Sequence, residues 1–507
     1  MNARPNILVI LSDQMKATAS HLYGNPFCQT PSLARLAEGG VLFRHAFTPH
    51  PLCVPARVSL WTGQWPHSTG ARRNETWMPA GANHVFRLWH QEGYRCGLIG
   101  KNHCFEQAED LALFDVWCEI GHRGLPDDPT TRGMEWVRPL DKIAEAHSVR
   151  RNMPTVSPRF SYAHTDFPLE DYATGLIAEQ TVEFLRRFGD EPFALWVSIP
   201  DPHEPYEAPR RYAEMFPPDV LTLPPWREGE FRGDEVPERN KVLYHILGLE
   251  DDPLEDVYGV LAAYYGMVRF LDDGVGRILD ALDDLGLREN TIVVFCTDHG
   301  DFSGEHCMTC KGGVFYDCLT RIPLIVSWPG HIPQGQVDES MVNLVDVVPT
   351  LLRLQGYEVP RSMHGQPLPT VTDADPREAT FAEYGAGGPP FTLEHLAQLP
   401  QSTGRRALMH SLRWREAEGR RKMVRTARWK YVHDPMGDKD ELYDLQNDPW
   451  ELNNVVGDPA NRDVLMEMRL RLADWSIQTE DAKPVPLPEP QYYDLRHPPG
   501  APGAVAR

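Results

Sequence analysis

Nowhere do the 507 residues of this chain approach the ~20 consecutive apolar residues of a membrane span. A basic excess is also missing. Fifty Lys and Arg stand against 72 Asp and Glu, a formal net charge of −22. Nucleic acid and anionic lipid both need a cationic footprint, so neither is expected as a partner. Cysteine is sparse and odd in number, nine in all, which fits reduced thiols in a cytoplasm better than a disulfide framework. The sequon Asn74-Glu75-Thr76 then carries no meaning. Met1 to Asp13 holds one short apolar run, Ile7 to Leu11, and no small-residue cleavage site, so it reads as a first strand rather than a signal peptide. Internal repeats are absent.

What is present suffices for a large core: 41% hydrophobic and 10% aromatic residues, in a chain long enough for more than one domain. Short apolar runs alternate with helical patterns. Asn6 to Leu11, Tyr94 to Ile99, Phe193 to Ile199, Thr291 to Cys296 and Arg321 to Val326 read as strands. Pro31 to Glu38, Thr174 to Phe188 and Asp256 to Leu285 read as helices. That alternation predicts βαβ units, hence an α/β fold with a mostly parallel sheet covered on both faces. After a Pro-, Asp- and Thr-rich connection at Pro360 to Glu378 the pattern changes to short separate strands: Thr380 to Tyr384, Ala407 to Leu412, Arg420 to Thr426 and Trp429 to His433. A helix over Ala460 to Trp475 follows. The expected organisation is a catalytic domain over 1–375, a smaller antiparallel-sheet domain over 376–482 and a Pro-rich tail over 483–507.

Polar groups collect just beyond the strands, where open α/β sheets bind ligands. The first strand delivers Asp13 and Gln14, and the strand near 295 delivers Asp298 and His299. Two carboxylates, an amide oxygen and an imidazole suit a hard divalent cation; taken singly, each is as readily a cap or a polar turn. In Cys53-Val54-Pro55-Ala56-Arg57, Pro55 fits a first helical position, which puts Cys53 at a helix N-terminus with Arg57 about one turn on. The bland alternative is a small buried thiol. Lys101 and His103, His203, and Lys311 follow strands that end on the same sheet edge, although such residues are individually most often surface or structural groups.

Together these stretches resemble the sulfatase family. Cys53-Val54-Pro55-Ala56-Arg57 with Thr62-Gly63 is similar to its Cys-x-Pro-x-Arg and Thr-Gly signature. Pro5-Asn6-Ile7 to Asp13, Thr297-Asp298-His299-Gly300, Gly304-Glu305-His306, and Trp429-Lys430-Tyr431 to Leu445 with Asp448-Pro449 match in family order, from about residue 5 to 475. The resemblance implies an alkaline-phosphatase-like fold: a large mixed, mostly parallel sheet sandwiched by helices, plus a smaller C-terminal antiparallel sheet with a helix. It implies that a maturation enzyme oxidises Cys53 to formylglycine, whose hydrated gem-diol attacks sulfur, expels the alcohol and then collapses to release sulfate. By the same resemblance Asp13, Gln14, Asp298 and His299 hold one divalent ion, Ca²⁺ in most of the family, with Mn²⁺ or Mg²⁺ as alternatives. Arg57, Lys101 and Lys311 offset charge on the sulfate oxygens. His203 binds sulfate or protonates the leaving oxygen, and His103 takes the proton in the release step. His306 and Asp317 are nearby substitutes for these roles.

One departure matters. Many sulfatases carry a second Asp where this chain has Gln14; choline sulfatases and phosphonate monoester hydrolases share the Asp-Gln pairing. That admits a second activity on phosphodiesters or phosphonate monoesters, against which the Lys101 and His103 pair stands. The substrate is expected to be a small-molecule sulfate ester whose organic part is not legible, with Trp77, Tyr206 and Arg72-Arg73-Asn74 as candidate pocket walls and Gln491-Tyr492-Tyr493 as a further aromatic source. A homo-oligomer is compatible with the composition. Two readings from other classes are a zinc module built on Cys307, Cys310, Cys318 and His306, and an inactive family member acting as an interaction protein.

Overall fold

The computed structural model describes residues 4–125, 131–153, 162–398 and 418–480. The expected strand at Ala407 to Leu412 and the tail 483–507 lie outside the described residues.

Asn6–Ser12 is buried along its whole length and lies in the middle of a ten-stranded sheet among the described residues. It pairs in parallel with Phe193–Ile199 on one side and Thr291–Thr297 on the other. Phe193–Ile199 continues in parallel to Arg95–Gly100, and that strand to Val116–Glu119. Beyond Thr291–Thr297 the sheet becomes mixed: Leu324–Ser327 runs antiparallel to it and to Gly40–Phe47, and Gln336–Asn343 runs parallel to Gly40–Phe47. The strand expected over Arg321 to Val326 is broken into Arg321–Ile322 and Leu324–Ser327, because Pro323 has no N–H to give a ladder.

Alternation of side chains explains the burial of the middle strand. Leu8 and Ile10 join one apolar layer, and Ile7, Val9 and Leu11 the other. The helices Pro31–Glu38, Ala173–Phe188 and Leu254–Asp284 supply the first layer through residues such as Leu33, Leu176 and Leu271. Cys53–Thr62, Val85–Gln91 and Val347–Leu354 supply the second, around Trp61, Phe86, Trp89 and Trp196. The long helical pattern near 256–285 is one unbroken helix, Leu254–Asp284.

A second sheet of four antiparallel strands, Ala379–Tyr384, Arg421–Thr426, Trp429–His433 and Glu441–Asp444, stands in that order. The helix Arg462–Gln478 lays Met468, Leu472 and Trp475 on it against Tyr431 and Leu442. Trp65, from the N-terminal region of the chain, enters the same cluster. No helix among the described residues is long and apolar enough to cross a membrane.

Candidate active site

Four adjacent parallel strands end on one edge, and each releases polar residues there. Asp13 and Gln14 follow Ser12, Lys101 follows Gly100, His203 and Glu204 lie just past Ile199, and Asp298 and His299 follow Thr297. Local backbone aims them. Gln14 takes a left-handed φ of 67°, which turns its N–H onto Asp298 Oδ1 at 3.1 Å. A non-glycine residue held there is strained, as residues at functional sites often are. Gly100 has φ +111°, and a Cβ on it would sit 2.0 Å from Ser198 O, so only glycine lets Lys101 leave the strand at this angle.

Cys53 is the first residue of Cys53–Thr62, two positions earlier than Pro55 suggests. Leu52 at the N-cap offers no side-chain oxygen. Asn74 Oδ1 serves instead, accepting from Val54 N–H at 3.1 Å. At the other end Gly63, the glycine of the Thr-Gly pair, adopts a left-handed C-cap with φ 62°.

Arg57 comes one turn after Cys53 and is wholly buried. Its Nη2 donates to Asp13 Oδ2 at 3.0 Å and its Nε to Asp298 Oδ2 at 2.9 Å, while Nη1 reaches Lys101 O at 3.0 Å and Ser198 Oγ at 2.9 Å. The guanidinium therefore clamps the two carboxylates together. Lys101 Nζ also pairs with Asp13 and donates to Cys53 Sγ at 3.8 Å. Burial works against charge on Asp13, but Lys101 and Arg57 outweigh it and hold its carboxyl well below the usual range.

Cys53 Sγ lies 3.1 Å from His299 Nε2 and 3.7 Å from Asp13 Oδ1. Burial pushes its thiol up to about 12, with Asp13 adding to the effect. His299 Nδ1 faces Gly300 O at 3.0 Å, which sets that nitrogen as the donor and leaves the Nε2 lone pair aimed inward. Ligand atoms of Asp13, Cys53, Asp298 and His299 all lie within 4.8 Å of one another. Two carboxylates, an imidazole lone pair and the Gln14 carbonyl are a fitting donor set for a divalent cation. The lysines support this: Lys101 Nζ sits on Asp13 and Lys311 Nζ on Gln14 Oε1, each an ammonium against an oxygen of that set.

A second chain of contacts reaches the remaining residues. Lys311 Nζ approaches His203 Nε2 at 2.8 Å, and His203 Nδ1 donates to Glu204 O at 2.6 Å. Burial and then Lys311 keep His203 well below its ordinary value, as a neutral ring. His103 is set apart. It has φ 43°, its Nδ1 is buried without a hydrogen bond, and burial with Lys101 and Arg57 lowers its pKa to about 2. The substitutes are engaged elsewhere: His306 stacks on Tyr316 at 3.8 Å with Nδ1 2.6 Å from Glu230, and Asp317 pairs with Lys430 and Arg425. Tyr206 is no pocket wall; it is buried, with its hydroxyl on Asp301 Oδ2 at 2.8 Å. Cys307, Cys310, Cys318 and His306 form no metal-binding group of the kind found at Asp13, and all nine cysteines are free thiols in the structure.

Sequence reasoning passed over three residues at this site. Glu204 and Asp301 both accept from Gln14 Nε2, at 2.8 and 2.5 Å, and His122 lies 4.6 Å from the His203 ring. The first two immediately follow residues singled out above, His203 and Gly300. The third follows Val116–Glu119, a strand too short for its apolar pattern to register.

A family model described as Sulfatase matches residues 5–357. The chain belongs to the sulfatase family. It is accordingly a sulfuric ester hydrolase, with the alkaline-phosphatase-like architecture expected of the family. A second model, described as N-sulphoglucosamine sulphohydrolase, C-terminal, matches residues 409–478. Among relatives, the arylsulfatase of Clostridium perfringens is 25% identical over 465 residues, covering 89% of this chain and 90% of that protein. The choline-sulfatase of Rhizobium meliloti is 26% identical, with 94% of this sulfatase and 88% of the relative covered. The crystal structure of the phosphonate monoester hydrolase of Agrobacterium radiobacter superposes with a TM-score of 0.72 at 25% identity, over 94% of this chain and 96% of that one.

Proposed function

We propose that the enzyme cleaves a small-molecule sulfate monoester with Cys53, converted to formylglycine by a separate maturation enzyme, as the source of the nucleophile. Asp13, Gln14, Asp298 and His299 hold one divalent ion, Ca²⁺ for a site of hard oxygen donors, with Mn²⁺ or Mg²⁺ as alternatives. The observation that carries this reading is the position of Cys53 Sγ, 3.1 Å from His299 Nε2 and in contact with Lys101, at the meeting point of both carboxylates. When bound, the ion supplies Lewis-acid charge to a sulfate oxygen. Arg57 fixes the two carboxylates so that they need not reorganise. Lys101 and Lys311 bring positive charge to the sulfate oxygens. His203 Nε2 would take a proton from the Lys311 ammonium, 2.8 Å away, and pass it to the leaving oxygen, leaving Lys311 neutral. His103, held neutral, takes a proton in the release step.

A second reading, hydrolysis of phosphodiesters or phosphonate monoesters at the same site, is favoured by one feature, the neutral amide of Gln14 where a carboxylate would add charge. Sulfate esters are preferred because Lys101 and His103 are both present. The nine free thiols support a reducing, cytoplasmic setting. The two separate sheets support a catalytic unit over 1–375 and a smaller unit over 376–482; a homo-oligomer fits the acidic surface.

Peptide mass spectrometry of the Cys53 segment, on protein from its native host, tests the nucleophile. An aldehyde mass in place of the thiol is expected, together with sulfate release from sulfate esters in excess over phosphodiester turnover. Unmodified Cys53 in active protein would overturn the formylglycine reading.

A further inference from the structure

The strand Val116–Glu119 pairs in parallel with Arg95–Gly100, so its carboxyl end opens on the same edge as the strands that deliver Lys101 and His203. The chain leaves it into a tight turn closed by Gly121 N–H to Gly124 O at 3.0 Å and Gly124 N–H to Gly121 O at 2.9 Å. His122 is inside that turn. The helix Leu140–Asn152 pins the turn from behind: Leu125 N–H donates to His147 Nδ1 at 3.1 Å. Gly124 has φ +91°, and a Cβ there would lie 2.7 Å from that of His147. The same helix holds the neighbouring loop, since Arg150 donates to His203 O at 2.7 Å and to Asp201 Oδ1 at 2.5 Å. One rigid element thus sets the distance between His122 and His203.

The result is a row of rings. Trp77 stands edge-on to His103 at 5.7 Å, His103 lies 6.3 Å from His122, and His122 lies 4.6 Å from His203 at an interplanar angle of 33°. Both nitrogens of His203 are committed, to Glu204 O and to Lys311, and His103 Nδ1 is sealed. His122 is half-buried, and neither of its ring nitrogens makes a hydrogen bond among the described residues.

Resting on the sulfatase reading above, we propose that His122 contacts the organic group of the substrate, and that the wall Trp77–His103–His122–His203 selects an aryl sulfate over a cationic or small aliphatic one. The charge around the wall points the same way. Lys101, Arg150 and Lys311 act on His122 against the single carboxylate of Asp13, a net positive surrounding that disfavours a quaternary ammonium. The carboxylate that could receive such a cation, Glu204, is engaged by Gln14 Nε2 at 2.8 Å and His203 Nδ1 at 3.2 Å. A planar aryl group can instead stack on, or stand edge-on to, the rings of this wall.

The test uses matured enzyme and three esters, 4-nitrophenyl sulfate, choline sulfate and a short alkyl sulfate, with H122A and H122F. The wild type is expected to prefer the aryl ester in kcat/KM. H122A should raise KM for that ester by about tenfold at little-changed kcat, leave the alkyl ester unaffected, and leave inhibition by inorganic sulfate unaffected. H122F, which keeps the ring face and loses the nitrogens, should retain the wild-type KM. Equal damage to all three esters, a weakened grip on inorganic sulfate, H122F behaving as H122A, or a wild type that prefers choline sulfate would each overturn the proposal. A matured wild type that releases sulfate from none of the esters would instead overturn the underlying hydrolase reading, and this proposal with it.

Discussion

Asp301 holds the side chain of Gln14 by its amide: Gln14 Nε2 donates to Asp301 Oδ2 at 2.5 Å. The same nitrogen donates to Glu204 Oε2 at 2.8 Å. With both amide hydrogens on carboxylates, the carbonyl oxygen has one direction left, and it meets Lys311 Nζ. An acid at position 14 would stand against two carboxylates; an amide satisfies them and still offers an oxygen ligand. Asp301→Ala frees the amide to rotate. Ca²⁺ affinity, read by titration calorimetry on folded protein, is expected to fall about 10- to 100-fold, the usual cost of losing a group that orients a metal ligand. An unchanged affinity would remove Asp301 from any role in the cation site.

Gly100 is expected to tolerate no side chain. A Cβ there meets Ser198 O at 2.0 Å and Ser198 C at 2.8 Å, both backbone atoms of the paired strand, at a φ of +111°. Gly100→Ala must therefore push its own strand away from Phe193–Ile199 next to Lys101, and a loss of roughly 2–4 kcal/mol is expected. Urea unfolding measures it. Gly24, which has φ +98° and nothing within 4 Å, is the control; Gly24→Ala should cost clearly less.

The strands that lead into the candidate site were legible in the sequence, for a physical reason. Asp13, His203 and Asp298 each follow a mostly apolar run that is buried along its length, and a buried parallel strand leaves little else for such a run to be. Gly40–Phe47 was missed because Arg44 and His45 interrupt its pattern on the half-exposed side. The helix at Cys53 begins earlier than Pro55 implies because its cap comes from Asn74, outside the local sequence. Asp301 drew no functional reading because its meaning lies in a partner 287 positions away. His122 required the sheet order, which places its short strand beside the strand before Lys101.

Arg57 joins the proposed catalytic site to stability. It bridges Asp13 and Asp298 with no exposure to water, so shortening it strands two buried carboxylates. Arg57→Lys keeps the charge and loses the fork. A fall of about 3 kcal/mol in stability is expected without added cation, with kcat on an aryl sulfate down about 100-fold or more. Full activity at wild-type stability would show that the fork is dispensable. Ca²⁺ should recover some of the stability but not kcat, because the ion can screen the carboxylates without restoring their geometry.

Glu383 fastens the C-terminal sheet to the N-terminal region of the chain. Its Oε1 accepts from the backbone N–H of His67 at 2.8 Å and faces His67 Nδ1 at 2.7 Å, and His67 Nε2 in turn faces Thr479 O at 2.8 Å. Burial opposes the charge on Glu383, but His67, Lys422 and Arg72 prevail and hold its pKa at about 2, below the ordinary 4.5. A carboxyl depressed by folding stabilises the native state fully above its unfolded value and loses that contribution as pH falls through the folded one. The window is therefore about pH 4.5 down to about 2. The depression corresponds to about 3 kcal/mol at neutral pH. Glu383→Gln should lower stability by up to that amount at pH 7. The gap between wild type and variant should then narrow steadily on acidification below pH 4.5. Urea unfolding of both proteins across that range, with chelator present, gives the difference curve; a gap independent of pH would show that the carboxylate charge contributes nothing to the latch.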